Sequence, residues 1–255
     1  MKKRKSEWFS EEAGFFGPGY LVEYAGILTS EKTRAEVDFL VKTLCLKKGV
    51  KILDLACGHG RHTVELARRG FSMTGQDLNA FFLHEAKKAA RRAEAKVRWV
   101  KSDIRQIPFQ NEFDAVFNLF TAFGYFDSDD DHQKVIYQVA KSLRHGGVFV
   151  IDMINRDYIM HNYNGNSWRR LKDGSIILRE SKFDFARGRN MDRRTRIWKN
   201  GKREELDAPL RMFTLPELIA MCEKAGLRYE ASYGDYTGEE ISLTSRRYIL
   251  IARKK

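Results

Sequence analysis

The sequence has few of the residues that mark several protein classes. Its 255 residues include only four prolines and three cysteines, and Cys45, Cys57 and Cys222 are far apart. Scattered thiols of odd number exclude a disulfide scaffold and are typical of a reducing compartment, so we expect a cytoplasmic protein. No apolar run approaches the roughly 18 residues that span a bilayer, so no membrane partner is predicted. A polar stretch follows the basic start, so no signal peptide is predicted.

Positive charge is in excess, but only in two places. The formal net charge is +12, and 43% of the residues are hydrophobic, which excludes a disordered chain. Residues 2–5 contribute four basic groups, and residues 156–206 contain 14 basic and 7 acidic groups. Residues 6–155 contain 20 groups of each sign and are therefore neutral. The charge predicts a basic tail and a basic block attached to a neutral core.

Strand-like and helix-like segments alternate over the first 155 residues. Short apolar runs bounded by glycine are typical of buried parallel strands. The expected strands are 51–56, 71–75, 97–100, 114–119 and 148–151. The first helix is expected over 30–42, with Ser30 or Thr33 as its cap. This alternation predicts an α/β protein with a doubly wound, mostly parallel sheet that is covered by helices on both faces.

The pattern changes after the fifth expected strand. Asp173-Gly174 and Asn200-Gly201 are strong hairpin signals, because both central residues of such a turn need positive φ. They predict an antiparallel insert of three or four strands, with residues 156–212 as its bounds. The α/β pattern then resumes with a capping box over 214–217, which predicts a helix that Gly226 ends. Two final strands are expected over 227–233 and 247–252.

A glycine-rich turn follows the first expected strand. Asp54 lies near the end of the strand, and Gly58 and Gly60 precede a helix whose first N–H groups are free to bind a ligand. A nicotinamide or flavin fingerprint would require a third glycine where Thr63 stands, so that assignment is poor. The turn therefore predicts a binding site for another kind of ligand or an unliganded strand-to-helix connection.

Two further acidic residues stand near the ends of the next two strands. Asp77 can accept hydrogen bonds from both hydroxyls of a ribose, with a helix cap as the alternative. Asp103 can accept from the exocyclic amine of adenine while Ile104 covers the ring, and it can also be a capping aspartate. Because the carboxyl ends of parallel strands meet in one crevice, these residues and Asp54 predict a single site.

These motifs resemble those of the class I S-adenosylmethionine-dependent methyltransferases. Residues 54–60 resemble the first motif of that family, with Ala56 in place of its first glycine. Asp77 and Asp103 match the second and third motif positions, and 114–119 matches the fourth. The resemblance implies a seven-stranded sheet whose last strand is antiparallel.

The resemblance also implies which residues hold the cofactor, S-adenosylmethionine. Gly58 and Gly60 would contact its methionine portion, Arg34 its carboxylate and the Asn118 backbone its amine. The complete implied set is Tyr20, Arg34, Asp54, Ala56, Gly58, Gly60, Asp77, Leu78, Asp103, Ile104 and Asn118. A surface position is the alternative for Arg34. No His or Cys spacing is typical of a metal site, so no metal is predicted.

The order of segments resembles that of glycine N-methyltransferase-like and aminosugar N-methyltransferase-like enzymes. The resemblance implies that residues 1–29 and the insert 156–212 cover a core made of 30–155 and 213–255. The expected acceptor-binding residues are Tyr24, Phe123, Tyr125 and Asn155. Candidate catalytic residues are Tyr20, Tyr125, Asp152 and Asn155, and no base is singled out among them.

Three functions are compatible with these motifs and charges. The first is methyl transfer to a nitrogen or oxygen atom of a small molecule. The second is RNA methylation, because a basic insert that contains Trp168 and Trp198 could hold phosphates and stack on bases. The alternative for those charges is a solvated sheet face paired with nearby carboxylates. The third is cofactor binding without catalysis, which the intact first motif disfavours. The oligomeric state is left open.

Overall fold

A computed structural model describes residues 7–255, and the basic tail at 2–5 lies outside them. Twelve strands are present in these residues. They are β1 (Lys51–Leu55), β2 (Ser72–Asp77), β3 (Val97–Lys101), β4 (Phe113–Asn118), β5 (Leu143–Ile154), β6 (Asn166–Arg170), β7 (Ile176–Asp184), β8 (Arg189–Ile197), β9 (Arg203–Asp207), β10 (Leu210–Arg211), β11 (Leu227–Tyr233) and β12 (Arg247–Lys254).

Seven strands form the central sheet in the order β11-β12-β5-β4-β1-β2-β3. Neighbours from β5 to β3 are parallel, whereas β12 is antiparallel to both β5 and β11. The predicted α/β fold, including its antiparallel last strand, is therefore confirmed. Two apolar clusters cover the sheet, and none of the helices of residues 7–255 is long and apolar enough to cross a membrane.

Seven α-helices of residues 7–255 connect or cover the strands. They are α1 (Pro18–Tyr24), α2 (Ser30–Thr43), α3 (Arg61–Arg68), α4 (Ala80–Arg92), α5 (Asp129–Ser142), α6 (Arg156–His161) and α7 (Leu215–Lys224). The cap of α2 is Thr29, whose hydroxyl accepts from the Lys32 N–H, so neither predicted cap is correct. The Thr214–Glu217 capping box of α7 is present as predicted.

Two predicted boundaries are wrong in a way that matters for the site. β2 extends to Asp77 instead of ending at residue 75, because its register with β3 pairs Asp77 with Lys101. The expected start of the fifth strand at residue 148 is also wrong, since α5 ends at Ser142 and β5 begins at Leu143. Leu143 is fully buried and pairs with Phe113, so burial in the sheet prevails over another helical turn.

The insert forms a second, antiparallel sheet in the order β10-β8-β7-β6, with β9 paired to β8. It has five strands and not the predicted three or four. Residues 203–207 pair with 193–197 across the Asn200-Gly201 turn, and two residues at 210–211 close the sheet. Such short strands carry too little periodicity to be separated from loops in the sequence.

Candidate functional site

A cavity lies at the carboxyl ends of β1, β2, β3 and β4, where an open α/β sheet binds its ligands. We call it the sheet-edge cavity. Its lining residues are Phe9, Phe16, Tyr20, Leu28, Asp54, Ala56, Cys57, Gly58, His59, Arg61, His62, Asp77, Leu78, Asn79, Phe82, Asp103, Ile104, Leu119, Phe120, Ala122, Tyr125 and Phe126. It thus brings together most of the residues that the sequence assigned to one ligand.

The glycine turn shapes the floor of this cavity. Ala56 and Gly58 both have a φ of 56°, and the Gly58 N–H donates to Asp77 Oδ2 at 2.7 Å. Gly60 does not line the cavity, contrary to the prediction. A Cβ on Gly60 would lie 2.8 Å from that of Ala86 and 3.0 Å from the Trp99 ring. Gly60 is therefore needed for the packing of α3 against its neighbours.

Asp77 is buried at the end of β2 and is held by backbone amides. Its Oδ1 accepts from the Asn79 N–H at 2.8 Å, and its Oδ2 accepts from Gly58. Each oxygen keeps a lone pair for a further donor. Burial raises the pKa of Asp77 to about 6, although both amides favour the charged form. The side chain can accept from two neighbouring hydroxyls.

Asp103 lines the cavity, but its carboxylate already has a strong partner. Arg105 Nη2 lies 2.6 Å from Asp103 Oδ2, and the same guanidinium binds Glu7 and covers the Phe126 ring at 4.5 Å. Ile104 is buried beside it as an apolar wall. A ring amine could reach only the lone pairs that Arg105 leaves.

Arg61 is a cavity residue that was not among the candidates predicted from the sequence. Its Nη1 donates to Thr33 Oγ1 at 3.1 Å and to Glu36, while its Nη2 is buried without a partner in residues 7–255. Glu36 Oε2 also lies 2.8 Å from His62 Nε2. Burial alone would raise the pKa of Glu36, but the hydrogen bond with His62 and the Arg61 charge keep that pKa well below its usual range. The signal was the place of Arg61, directly after the glycine turn.

Arg34, which was predicted to bind the cofactor, lies outside the cavity. It is exposed, and its carbonyl oxygen accepts from Arg69 Nη2 at 3.3 Å. The inner face of α2 contains Thr33, Glu36, Val37 and Leu40 at helical spacing, so Arg34 falls on the outer face.

Asn118 and Phe123 are likewise buried away from the cavity. The Asn118 amide donates to the Leu55 carbonyl oxygen at 3.0 Å, and the neighbouring Leu119 lines the cavity instead. Phe123 packs on Phe213 in the apolar core, with ring centroids 5.4 Å apart. Its place after β4 suggested exposure to ligand, but that segment turns back into the core.

Asp152 and Asn155 have structural partners in place of the predicted contact with reactants. Asp152 is fully buried and accepts from the Phe120 N–H at 2.9 Å, from the Tyr236 hydroxyl and from Arg247. Asn155 caps α6 through its side-chain oxygen and donates to the Ser245 carbonyl oxygen at 2.7 Å. Neither residue lines the sheet-edge cavity, and both hold loops at this end of the sheet.

A second cavity adjoins the first and is enclosed by α1, the loop after β4 and the insert. We call it the insert chamber. Its lining residues are Trp8, Phe15, Phe16, Tyr20, Tyr24, Phe120, Thr121, Tyr125, Ile154, Ile159, Arg179, Asn190, Asp192, Arg194, Ala208, Leu210, Met212 and Arg247. Phe16, Tyr20, Phe120 and Tyr125 line both cavities. The two spaces therefore meet at an aromatic junction.

Tyr20 and Tyr24 share one face of α1, as their spacing predicts, and their rings stack with centroids 4.4 Å apart. Burial raises the pKa of Tyr20 and that of Tyr125 well above the usual value for tyrosine. Both phenols therefore remain protonated at neutral pH. They can donate hydrogen bonds and exclude water, but they are poor bases.

Carboxylates pair with much of the basic insert. Arg193 Nε lies 3.0 Å from Asp207, and Arg196 Nη2 lies 2.7 Å from Asp173. Asp192 pairs with both Arg179 and Arg194. From the sequence, the alternative to phosphate binding was a sheet face whose basic groups pair with nearby carboxylates. The structure has this pairing. Within the part of the chain that the structure describes, no group of three or more His, Cys, Asp or Glu side chains could hold a metal ion.

Comparisons with known proteins agree with this geometry. A family profile described as a methyltransferase domain matches residues 52–147. Over 131 residues the chain is 32% identical to a glycine/sarcosine N-methyltransferase of Aphanothece halophytica, an alignment that covers 51% of this chain and 49% of that protein. The chain spans about half to three-fifths of the length of the first curated relatives that it matches.

Solved structures share the fold over nearly the whole chain. The CcbJ methyltransferase of Streptomyces caelestis has a TM-score of 0.78 and 19% identity, and the match covers 92% of this chain and 96% of that one. S-adenosylmethionine-bound CalS10, an amino pentose methyltransferase of Micromonospora echinaspora, has a TM-score of 0.68 and 22% identity over 94% and 98%. Together, the sheet order and these structures show that the chain has a methyltransferase fold, and the profile match shows a methyltransferase domain over residues 52–147.

Proposed function

We propose that this chain transfers a methyl group from S-adenosylmethionine to the nitrogen atom of a small-molecule amine. The observation that carries the proposal is the junction between the two cavities. Tyr20, Phe120 and Tyr125 line both, so a donor in the sheet-edge cavity and an acceptor in the insert chamber would meet there. The relatives named as glycine/sarcosine N-methyltransferase and amino pentose methyltransferase support an amine acceptor.

The polar groups of the sheet-edge cavity fit the parts of this cofactor. Asp77 has lone pairs free for two ribose hydroxyls, and Ile104 offers an apolar wall for adenine beside Asp103. The Arg61 Nη2 is a buried donor without a partner in residues 7–255, which suits the carboxylate of the methionine portion. These residues, together with Ala56, Gly58 and Leu78, form our proposed cofactor site.

When bound, the cofactor supplies an electrophilic methyl group on a sulfonium, whose leaving group needs no acid. The remaining task of the chain is to orient the acceptor and to exclude water. Phe16, Tyr20, Phe120 and Tyr125 surround the junction and are suited to both tasks. The insert 156–212 and the N-terminal residues 7–29 would cover the reactants.

The chamber favours nitrogen over oxygen as the acceptor atom. Its one carboxylate in the described residues is Asp192, which is already bound by Arg179, Arg194 and the Ser181 hydroxyl. No histidine of these residues lines the chamber, and the pKa values of Tyr20 and Tyr125 are raised. A neutral amine already has a nucleophilic lone pair, whereas a hydroxyl requires a base. The RNA alternative finds no support in the relatives named above.

The test of the cofactor site compares two ligands that differ in the amino-acid portion. S-adenosylhomocysteine carries the carboxylate, and 5′-methylthioadenosine lacks it. Replacing Arg61 by Gln should weaken the binding of S-adenosylhomocysteine by about 10- to 100-fold, because one charge-assisted hydrogen bond is lost. The affinity for 5′-methylthioadenosine should not change. Calorimetry measures both affinities. Arg34→Gln is the matched control and should change neither affinity.

Each failure has a separate meaning. If wild-type protein does not bind S-adenosylhomocysteine, the proposed function is wrong. If Arg61→Gln weakens both ligands equally, the function stands and the carboxylate role of Arg61 does not. Transfer of labelled methyl groups to a panel of amines, with the matching alcohols as controls, then tests the choice of nitrogen.

A further inference from the structure

The charged side chains that line the insert chamber are strongly biased in sign. They are Arg179, Arg194, Arg247 and a single acid, Asp192. Two more carboxylates balance the arginines, but Glu23 and Asp152 do not line the chamber. Most of the charged groups that line the chamber are therefore guanidinium groups.

Arg194 is the most constrained of these groups. Its side chain is only 17% exposed, with Nε 2.9 Å from Asp192 Oδ2 and Nη1 3.0 Å from both Glu23 Oε1 and the Tyr24 hydroxyl. Its guanidinium also lies over the Phe15 ring at 5.0 Å. These contacts fix the plane of the group, and Nη2 has no hydrogen bond to any residue in 7–255. A fixed, largely buried donor beside a cavity favours an anionic ligand.

Arg179 and Arg247 also have guanidinium nitrogen atoms without a hydrogen bond in the described residues. Arg179 binds Asp192 through Nε alone, so neither of its Nη atoms has a hydrogen bond within the described residues. Arg247 uses Nε for Asp152 and Nη2 for Thr121 Oγ1, and its guanidinium lies 5.3 Å from the centre of the Phe120 ring. In contrast, Arg196 on the same strand as Arg194 does not line the chamber and binds Gly19 O and Asp173.

We propose that the insert chamber binds the anionic group of the acceptor, a carboxylate or a phosphate, through the free N–H groups of Arg194 and Arg179. This inference rests on the proposed function and narrows its substrate class to amines that also carry an anion. With the anion held by the insert, the amine of a short molecule extends toward Tyr20, Phe120 and Tyr125 at the junction. A carboxylate accepts two parallel N–H bonds from one guanidinium, and a phosphate can accept from both arginines.

The test uses acetate and inorganic phosphate as probes of the complex with S-adenosylhomocysteine. Each anion is titrated at constant ionic strength, and ¹³C-acetate or ³¹P NMR signals report bound and free probe. We expect saturable binding of at least one anion, weakened by about 10- to 100-fold in Arg194→Gln and in Arg179→Gln. Arg193→Gln is the control, because Arg193 is the neighbour of Arg194 on β8, has a side chain that is 57% exposed and does not line the chamber.

The outcomes are distinct. Stronger binding of acetate indicates an amino-acid-like acceptor, and stronger binding of phosphate indicates a phosphate ester. If neither probe saturates, or if Arg193→Gln weakens binding as much as the chamber variants do, the inference is wrong. Should Arg194→Gln fail to fold, Arg179→Gln alone decides, since its side chain is 43% exposed and less embedded. Failure to bind S-adenosylhomocysteine would instead count against the proposed function.

Discussion

At the scale of one residue, the surroundings of Asp77 act on its pKa in opposite directions. Its carboxylate is buried at the end of β2, which favours the neutral form, while the amides of Gly58 and Asn79 favour the charged form. Burial prevails, so the pKa of Asp77 is raised to about 6. A ligand that donates two hydroxyl hydrogens needs the ionised carboxylate and must therefore displace a proton below that pH.

This balance predicts a pH-dependent affinity. Binding of S-adenosylhomocysteine should be constant above the pKa of Asp77 and should fall up to tenfold per pH unit below about pH 6. Burial lowers the pKa of His59 to about 4, so this histidine does not account for a transition near pH 6. Calorimetry in matched buffers measures the slope.

Variants isolate the origin of that slope. Asp77→Asn should bind about 10- to 100-fold more weakly at pH 8 and should lose the pH dependence. Asp38→Asn, at a side chain that is 67% exposed, should retain it. A slope that persists in Asp77→Asn would assign the titration to another group.

The cavity residues that could be predicted from the sequence lie near the ends of strands. Asp54, Gly58 and Asp77 each stand at or shortly after a strand end, and parallel pairing brings strand ends together without further information. Arg34 lies elsewhere because a shift of one residue on a helix turns a side chain by about 100°. Arg61 lies at the cavity because it binds a buried partner, Glu36, which is 25 residues away in sequence.

At the scale of elements, the junction between core and insert depends on Arg211. This residue ends β10, and its guanidinium reaches the first turns of two helices, with Nε 3.2 Å from Asp129 on α5 and Nη2 2.6 Å from Glu217 on α7. It also covers the Phe213 ring at 4.3 Å. One side chain thus joins the second sheet to two helices of the core.

Replacing Arg211 by Met should lower the free energy of unfolding by about 1–3 kcal/mol, because three charge-assisted contacts are lost from a side chain that is 9% exposed. Urea unfolding measures the change. Arg228→Met, which removes an exposed pair with Glu230, should stay within about 0.5 kcal/mol of wild type. Equal effects of the two substitutions would contradict a structural role for Arg211.

Helices and strands could be predicted where their own residues form a long, regular pattern. The capping box of α7 identified its start, and Gly226 identified its end. The two-residue β10 was missed because its pairing with β8 is decided by contacts with the core and not by its own sequence. The extension of β5 back to Leu143 depends in the same way on its partner, Phe113.

At the scale of the molecule, the net charge of +12 does not describe the site. Positive groups of the insert are paired with carboxylates across its strands and with Glu23 on α1. The second sheet has few buried apolar residues of its own, with Ile177 and Phe183 among them. Its stability therefore depends on contacts with the rest of the chain.

This dependence predicts that insert and core unfold together. Calorimetry should give one transition, with equal calorimetric and van't Hoff enthalpies, although the chain has two sheets. S-adenosylhomocysteine at 100 times its dissociation constant should stabilise the whole chain by about 2.7 kcal/mol. Fluorescence of a variant that keeps Trp198 as its sole tryptophan should report the same midpoint as far-ultraviolet dichroism, and an earlier midpoint at Trp198 would identify an independent insert.

Helix α1 has a consequence for how the proposed activity can diversify. Tyr20 lines both cavities, while Glu23 and Tyr24 on the same helix bind Arg194 of the insert. A substitution that adapts the insert to a new acceptor is therefore transmitted to the wall of the donor site through a single seven-residue helix. Substitutions that change acceptor preference should therefore also change cofactor affinity. Laboratory evolution of one property should select compensating substitutions within Pro18–Tyr24.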